Sequence, residues 1–530
     1  MASTDARELG PVRDALDELA ARDARTRLHA RDASLFSDDP AVQANVAERL
    51  GWLDVMGEPP AATTRLQGFL ATVSSSGFHR VVLAGMGGSS LAPEVFATVF
   101  DPGSEGLPLE VLDSTHPDAV AAALDRERIG DTLVLVASKS GTTEETRCFG
   151  SYAGSIVPDS NHLVAITDPG SALEREAFAG HWRDVFLNPD DIGGRFSALS
   201  FFGMLPAALA GVPVRAVWER AAAMASRCAP DSAAADDPAA LLGAFMGSMT
   251  RAGRDKLTLV VHPRIGALGD WVEQLVAEST GKLGTGVVPI VDEPVGHGDA
   301  YGPDRALLEV RFGGEPAPGA QDLAEAGLPR LVLDVADAAD LGGAFVQWEL
   351  ATAYAGLLLG VNPFDEPNVT ESKRNTQAML DDVAAGRELP EPGPGDVEGL
   401  LARVKPGDYV ALQAYVPMTA PARAALREAR TLIRDRLQVA TTVGFGPRFL
   451  HSTGQLHKGG PDTLVALQLV DVPTRRVDIP GRAYDFATLV RAQAVGDLQA
   501  LEERARRVTQ VAVAADDLTP LVARLDAALP

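Results

Sequence analysis

The sequence predicts an α/β protein with two doubly wound parallel-sheet domains, a helical N-terminal arm and a further α/β region at the C-terminus. Three observations predict it. Short apolar runs alternate with helical segments from about residue 77 to 190, again from about 240 to 385, and once more after 407. Several of these runs are apolar throughout, as strands buried on both faces require. Glycine, serine and threonine gather where the runs end, which is where the loops of a parallel sheet meet and bind ligands.

Size and composition agree. A chain of 530 residues is long enough for two or three full cores. The expected division is an arm over 1–60, a first sheet domain over 61–230, a second over 231–386 and the C-terminal region over 387–530. Hydrophobic residues make up 46% and charged residues 22%, the profile of a globular protein. A net charge of −25 argues against a nucleic-acid partner or an anionic membrane surface. It also means that a phosphate site must be made positive locally. With Cys148 and Cys228 alone there is no disulfide framework and no paired metal spacing. Met1 to Glu8 lacks the basic and apolar segments of a signal peptide. No apolar run reaches the roughly 18 residues of a membrane span. The expectation is a cytoplasmic enzyme or binding protein.

In the arm, Leu16, Leu19 and Ala20, then Val42, Val46 and Leu50, recur at helical spacing, with Ser37-Asp38-Asp39-Pro40 as a helix start. The first sheet should use strands at 80–84, 109–113, 132–137, 163–167 and 184–187. Helices are expected between them at 91–100 and 144–152. Ser114 or Thr115 should cap the helix opened by Pro117, with His116 structural. The second sheet should use 256–262, 307–312 and 331–335, with helices over 267–279 and 341–359. A Pro/Gly-rich stretch over 387–398 reads as a boundary. Beyond it, 409–415 and 464–469 read as strands flanking a helix over 421–438.

The loops carry the chemistry. Ser138-Lys139-Ser140-Gly141-Thr142-Thr143 joins a buried strand to a helix that opens with Glu144 and Glu145. Four hydroxyls, an ammonium and a helix N-terminus together suit a phosphate; a plain capped loop is the other reading. Gly85-Met86-Gly87-Gly88-Ser89-Ser90 follows the first strand and lets a backbone come close to a ligand. A dinucleotide loop would need glycine where Ser90 stands, although Asp113 lies at the strand end where a ribose-binding acid belongs; the serines suit phosphate better. Gly193-Gly194-Arg195 presents a guanidinium from a close-approaching backbone, or is a turn with an exposed arginine. Gln274 and Glu278 are four apart on one helix and share a face. Glu278 sits at that helix's C-terminal end, where the dipole tends to raise a carboxylate's pKa and poise it as a base. An exposed terminal glutamate is the plainer alternative. Lys373 lies a few residues into a helix, within reach of a ligand or of solvent. The glycine-bounded loop 446–460 holds His451, His457 and Gln455 in a chain with only nine histidines, which favours a functional loop.

Taken together, Gly85 to Ser89, Ser138 to Thr146, Gly193 to Ser197, Glu278-Ser279-Thr280-Gly281-Lys282 and Phe364-Asp365 to Lys373 resemble the glucose-6-phosphate isomerase (phosphoglucose isomerase) family, of the sugar isomerase (SIS) fold. The motifs stand in that family's order across about 300 residues. The segments 31–54 and 450–460 look more narrowly like the isomerase half of bifunctional transaldolase/phosphoglucose isomerases. The roughly 75 residues before the first strand are too few for a transaldolase barrel.

The resemblance implies that Ser89, Ser138, Ser140 and Thr143 hold the sugar phosphate, with Gly88, Gly194 and the Lys139 backbone beside them. Glu278 would move the proton between C2 and C1, and Arg195 would stabilise the enediolate. Gln274 and Lys373 would contact the sugar. The family's ring-opening histidine precedes its final lysine, where this chain has only His297. The matching loop instead follows Lys373, which ranks His451 first, His457 second, as a substrate contact, and His297 third. The implied activity is reversible isomerisation of glucose 6-phosphate and fructose 6-phosphate, with no metal or nucleotide cofactor. A dual isomerase that also takes mannose 6-phosphate, or a non-catalytic sugar-phosphate sensor, are the alternatives. The partner is a small sugar phosphate, and a homodimer and a functional link to a transaldolase stay open.

Overall fold

The computed structural model describes residues 6–56, 60–100, 106–233 and 237–530; Met1 to Asp5, at the start of the expected arm, lie outside them. Its strands, in chain order, are β1 (Arg80–Gly85), β2 (Leu109–Leu112), β3 (Thr132–Ala137), β4 (Leu163–Thr167), β5 (Asp184–Leu187), β6 (Lys256–Val261), β7 (Val288–Ile290), β8 (Arg305–Phe312), β9 (Arg330–Val335), β10 (Tyr409–Tyr415), β11 (Ala440–Phe445), β12 (Leu464–Val470) and β13 (Arg507–Ala512). They form three sheets, ordered β2-β1-β3-β4-β5, β7-β6-β8-β9 and β11-β10-β12-β13. All strand pairs within them are parallel.

Each sheet obeys one rule. Its second strand lies on one side of its first, and the later strands lie on the other. The connections therefore diverge beside the first strand and leave a crevice at the strand C-termini. In the first sheet that crevice lies between β1 and β3, whose last residues Gly85 and Ala137 are paired. The glycine loop and the Ser/Thr loop start from this level, so the topology itself brings the two phosphate-type loops together.

Period-two alternation along β1 divides the core. Val81 and Leu83 face a large apolar core that runs through the arm, the helices Phe201–Leu209, Val214–Cys228, Pro238–Arg251 and Leu341–Leu359, and the second sheet. Trp52, Trp218, Trp271 and Trp348 are fully buried in it. Val82 and Ala84 face the other way, toward Phe149 on the helix Glu144–Ile156 and Phe486 on the helix Phe486–Glu503. The Phe149 and Phe486 rings stack with centroids 5.9 Å apart. The C-terminal region thereby forms one wall of the first sheet domain.

Every strand expected from the sequence is present, and three more complete the sheets: β7, β11 and β13. In the arm, Asp39 caps Pro40–Ala47 through the Ala41 N–H, as the Ser37 to Pro40 signal requires. One cap differs. His116, not Ser114 or Thr115, is the N-cap of Pro117–Ala123, its ring accepting from the Asp118 N–H. Buried His116 also faces Asp471 at 3.3 Å. Among the described residues no helix is long and apolar enough to cross a membrane.

Candidate active site

The Ser/Thr loop braces itself. The Ser138 hydroxyl accepts from the Gly141 N–H at 3.2 Å and donates to Thr143 Oγ1 at 3.2 Å. Gly141 has φ +67°, and a Cβ there would lie 2.4 Å from the Leu173 backbone nitrogen, so glycine is required. Thr143 occupies the N-cap position of Glu144–Ile156 in extended backbone, yet its side chain does not cap. The first-turn N–H groups of that helix are left for a ligand. The Lys139 side chain turns away to Asp168 and the Asp190 carbonyl, which leaves its backbone in the loop.

The glycine loop is held by contact with three other segments. A Cβ on Gly88 would sit 1.9 Å from the Gly194 carbonyl oxygen. Ser197 Oγ donates to the Gly88 carbonyl at 3.3 Å. Gly87, at φ +55°, lies against Gln274 Nε2 and the His451 backbone. Ser89 is buried on the same turn. Three other motifs thus converge on one short turn.

Arg195 is buried beside Glu278, with Nη1 3.8 Å from Oε2. Its remaining donors go to Ser279 Oγ (2.7 Å), Glu366 Oε2 (3.1 Å) and the Pro363 and Asp365 carbonyls. The guanidinium is fixed from several sides, as a preorganised charge should be. Lys282 holds the same loop through Asp365 at 2.8 Å and the Asn362 carbonyl. Burial pushes the Glu278 pKa up; Arg195 pulls it down and Glu366 pushes it up again, and the net shift is upward.

Gln274 joins this pair to the histidine loop. Its Nε2 donates to the His451 carbonyl at 2.7 Å and lies 3.3 Å from Glu278 Oε2. The His451 ring sits 2.9 Å from Glu145 Oε1, and Gln493 Nε2 donates to the same oxygen at 2.8 Å. Burial raises the Glu145 pKa, but His451 and Lys373 outweigh it and hold the carboxyl below its ordinary value. A cavity of about 280 Å³ opens here, lined among others by Ser140, Thr143, Glu145, Lys373, His451, Lys458 and Gln493. Gln274 is one hydrogen bond from the His451 backbone and leads in turn to Glu278 and Arg195, none of which lines this cavity.

The other two histidines lie elsewhere. His457 is buried beneath the third sheet, 3.0 Å from Gln413 and packed on Tyr409 and Phe449; it does not line the cavity. His297 is exposed on a separate turn. Sequence reasoning missed Glu145, Gln493 and the buried pair of Lys458 with Asp497 at 2.6 Å. The signal for Glu145 was its place on the apolar stripe of its helix, with Cys148, Phe149 and Tyr152. Asp113, the acid a dinucleotide ribose would need, is buried against Arg448 at 3.0 Å, and the glycine turn is filled by the Gly194 carbonyl.

The family model described as phosphoglucose isomerase matches residues 31–297, half of the chain. The chain belongs to the phosphoglucose isomerase family. That span holds the glycine loop, the Ser/Thr loop, Arg195, Gln274 and Glu278; Lys373 and His451 lie beyond it. The glucose-6-phosphate isomerase of Synechococcus sp. (strain JA-3-3Ab) is 38% identical over 224 residues, 40% of this chain and 42% of that protein. That of Geobacter sulfurreducens is 32% identical over 257 residues, 47% of each chain. The chain therefore matches less than half the length of these curated relatives. A longer match, to the Parasynechococcus marenigrum glucose-6-phosphate isomerase, is 28% identical and covers 65% of this chain and 70% of the relative. Among solved structures, a hypothetical protein from Thermus thermophilus superposes with TM-score 0.59 at 25% identity, covering 71% of this chain and 99% of that one. A glucose-6-phosphate isomerase from Chlamydia trachomatis shares the fold, with TM-score 0.51, 20% identity, and coverage of 69% and 79%.

Proposed function

We propose that the chain interconverts D-glucose 6-phosphate and D-fructose 6-phosphate through an enediolate. The observation that carries this reading is the buried Arg195–Glu278 pair, 3.8 Å apart, joined through Gln274 to the His451 loop that borders the hydroxyl-rich loop. The phosphate is held by Ser89, Ser138, Ser140, Thr143 and the uncapped N–H groups after Thr143, with Gly88, Gly194 and the Lys139 backbone shaping the approach. His451, aligned by Glu145, moves the proton of the anomeric hydroxyl (O1 of the aldose, O2 of the ketose) to the ring oxygen O5 as the C–O5 bond breaks, and Lys373 supports the opened chain. Glu278 takes the proton from C2, its raised pKa bringing it nearer the operating pH. Electron density passes to the carbonyl oxygen as the enediolate forms, and the Arg195 charge stabilises it. Glu278 then returns the proton to C1 as the O2 hydroxyl proton passes to O1, which leaves the carbonyl at C2. Gln274 holds the base and the His451 loop in one geometry. A sensor would need the hydroxyl loops alone, and a buried, multiply anchored arginine against a carboxylate has no role in it.

Glu278→Gln tests the reading. The variant keeps the side-chain volume and the Gln274 contact but cannot accept a proton. Turnover of fructose 6-phosphate in metal-free buffer should fall by roughly two to four orders of magnitude, with Tm and binding of inorganic phosphate retained. Near-normal turnover would overturn it.

A further inference from the structure

A second cavity, of about 290 Å³, lies against the helix Leu268–Thr280, on which Gln274 and Glu278 also stand. Asp270, one turn before Gln274, and the neighbouring Glu273 line it. The histidine loop reaches both cavities, with His451 in the first and Arg448 and Ser452 in the second. The opposite wall is the helix Ala420–Leu437, which contributes Arg423, Arg427 and Arg430. These are four and three residues apart and so share one face.

The arginines differ in what already holds them. Arg448 is saturated by Asp113, Asp270 and Glu94. Buried Arg430 donates to Thr441 and to the Val291 carbonyl. Among the described residues Arg427 pairs only with Asp292, and the two side chains are 54% and 74% exposed; such a pair is weak and easily exchanged. Arg423 lies over the Phe445 ring at 5.4 Å and donates to the Met418 sulfur, a weak acceptor. It makes no ion pair among the described residues. In a chain of net charge −25, this wall has guanidinium donors to spare. The floor adds one more donor: burial, with Asp270 beside it, pushes the Glu273 pKa to about 8, so its carboxyl carries a proton near neutrality.

We propose that this cavity is a second binding site, for a small oxyanion such as a phosphate ester or a carboxylate, held by Arg423 and Arg427. The ligand bridges the two guanidiniums, displaces Asp292 from Arg427, and rests against the helix that carries Glu278 and the loop that carries His451.

Equilibrium dialysis against inorganic phosphate, and in parallel against citrate, tests this with the intact chain. Wild-type protein should bind phosphate at two sites. Arg423→Ala/Arg427→Ala, changing two exposed side chains, should weaken one of them by about tenfold or more and leave fructose 6-phosphate turnover unchanged. Ser140→Ala/Thr143→Ala should weaken the other alone. If the isomerase reading fails, wild type still binds one oxyanion, and the arginine variant alone loses it. Citrate binding that is lost in the arginine variant, with phosphate unaffected, assigns the site to carboxylates. Unchanged binding of both anions in the arginine variant overturns the proposal.

Discussion

Three histidines compete for one role in the sequence, and at the residue scale their surroundings separate them. His451 has a buried carboxylate 2.9 Å from its ring and faces the cavity; His457 is enclosed by apolar rings and Gln413, and His297 is exposed on another turn. His451→Ala should therefore lower turnover by roughly two orders of magnitude or more. His297→Ala should leave kcat and KM unchanged. Steady-state kinetics on fructose 6-phosphate decide it, and a loss in His297→Ala that matches His451→Ala would reverse the assignment. The histidine was illegible in sequence because the choice depends on which loop a third sheet delivers to the first. Glu145 shows a different blind spot. Two adjacent acids at a helix start both look like dipole partners, yet one points to Arg482 and Tyr484 and the other into the site. Only the helical period distinguishes them.

At the scale of elements, legibility followed burial. Strands buried on both faces, such as β1, β3 and β10, announce themselves as apolar runs. β7 is three residues long, β11 mixes threonine and glycine among its apolar positions, and β13 is a partly exposed edge; none carries enough apolar period to stand out. The contact between the glycine turn and the arginine turn was invisible too, because it is made by backbone. It can be tested directly. Gly88→Ala places a methyl group 1.9 Å from the Gly194 carbonyl oxygen, with no side chain to move aside. The turn that carries Arg195 must shift, and a displacement of about 1 Å at reacting groups costs on the order of 10²-fold in rate. Gly68→Ala, whose added Cβ meets nothing within 4 Å, should leave kcat where it was. Equal activity of Gly88→Ala and wild type would mean that the two turns are not coupled.

At the scale of the whole molecule, the second and third sheets share a buried seam, and His457 is its titratable gauge. The helix Gly454–Gly459 carries this ring between the third sheet and the Leu268–Thr280 helix, where Leu456 packs with Ala277, Val288 and Tyr409. Burial first, then the neighbouring Lys458 and Arg506 charges, push the His457 pKa down to about 3. In the unfolded chain it returns to about 6.5. Between these values the unfolded state binds a proton that the folded state does not. Stability therefore rises with pH across that window, and is lost progressively as pH falls from about 6.5 toward 3. Above about 6.5 the ring is neutral in both states and contributes no slope. His457→Gln keeps a group able to hydrogen-bond Gln413 and removes the titration. Other buried carboxylates, Glu145 among them, also tilt the acid side, so the informative quantity is the difference between the two proteins. Chemical denaturation at a series of pH values should give a wild-type minus variant curve that is flat above pH 6.5 and falls below it. A difference curve flat from pH 4 to 8 would mean that the ring is open to solvent and that the seam does not close around it.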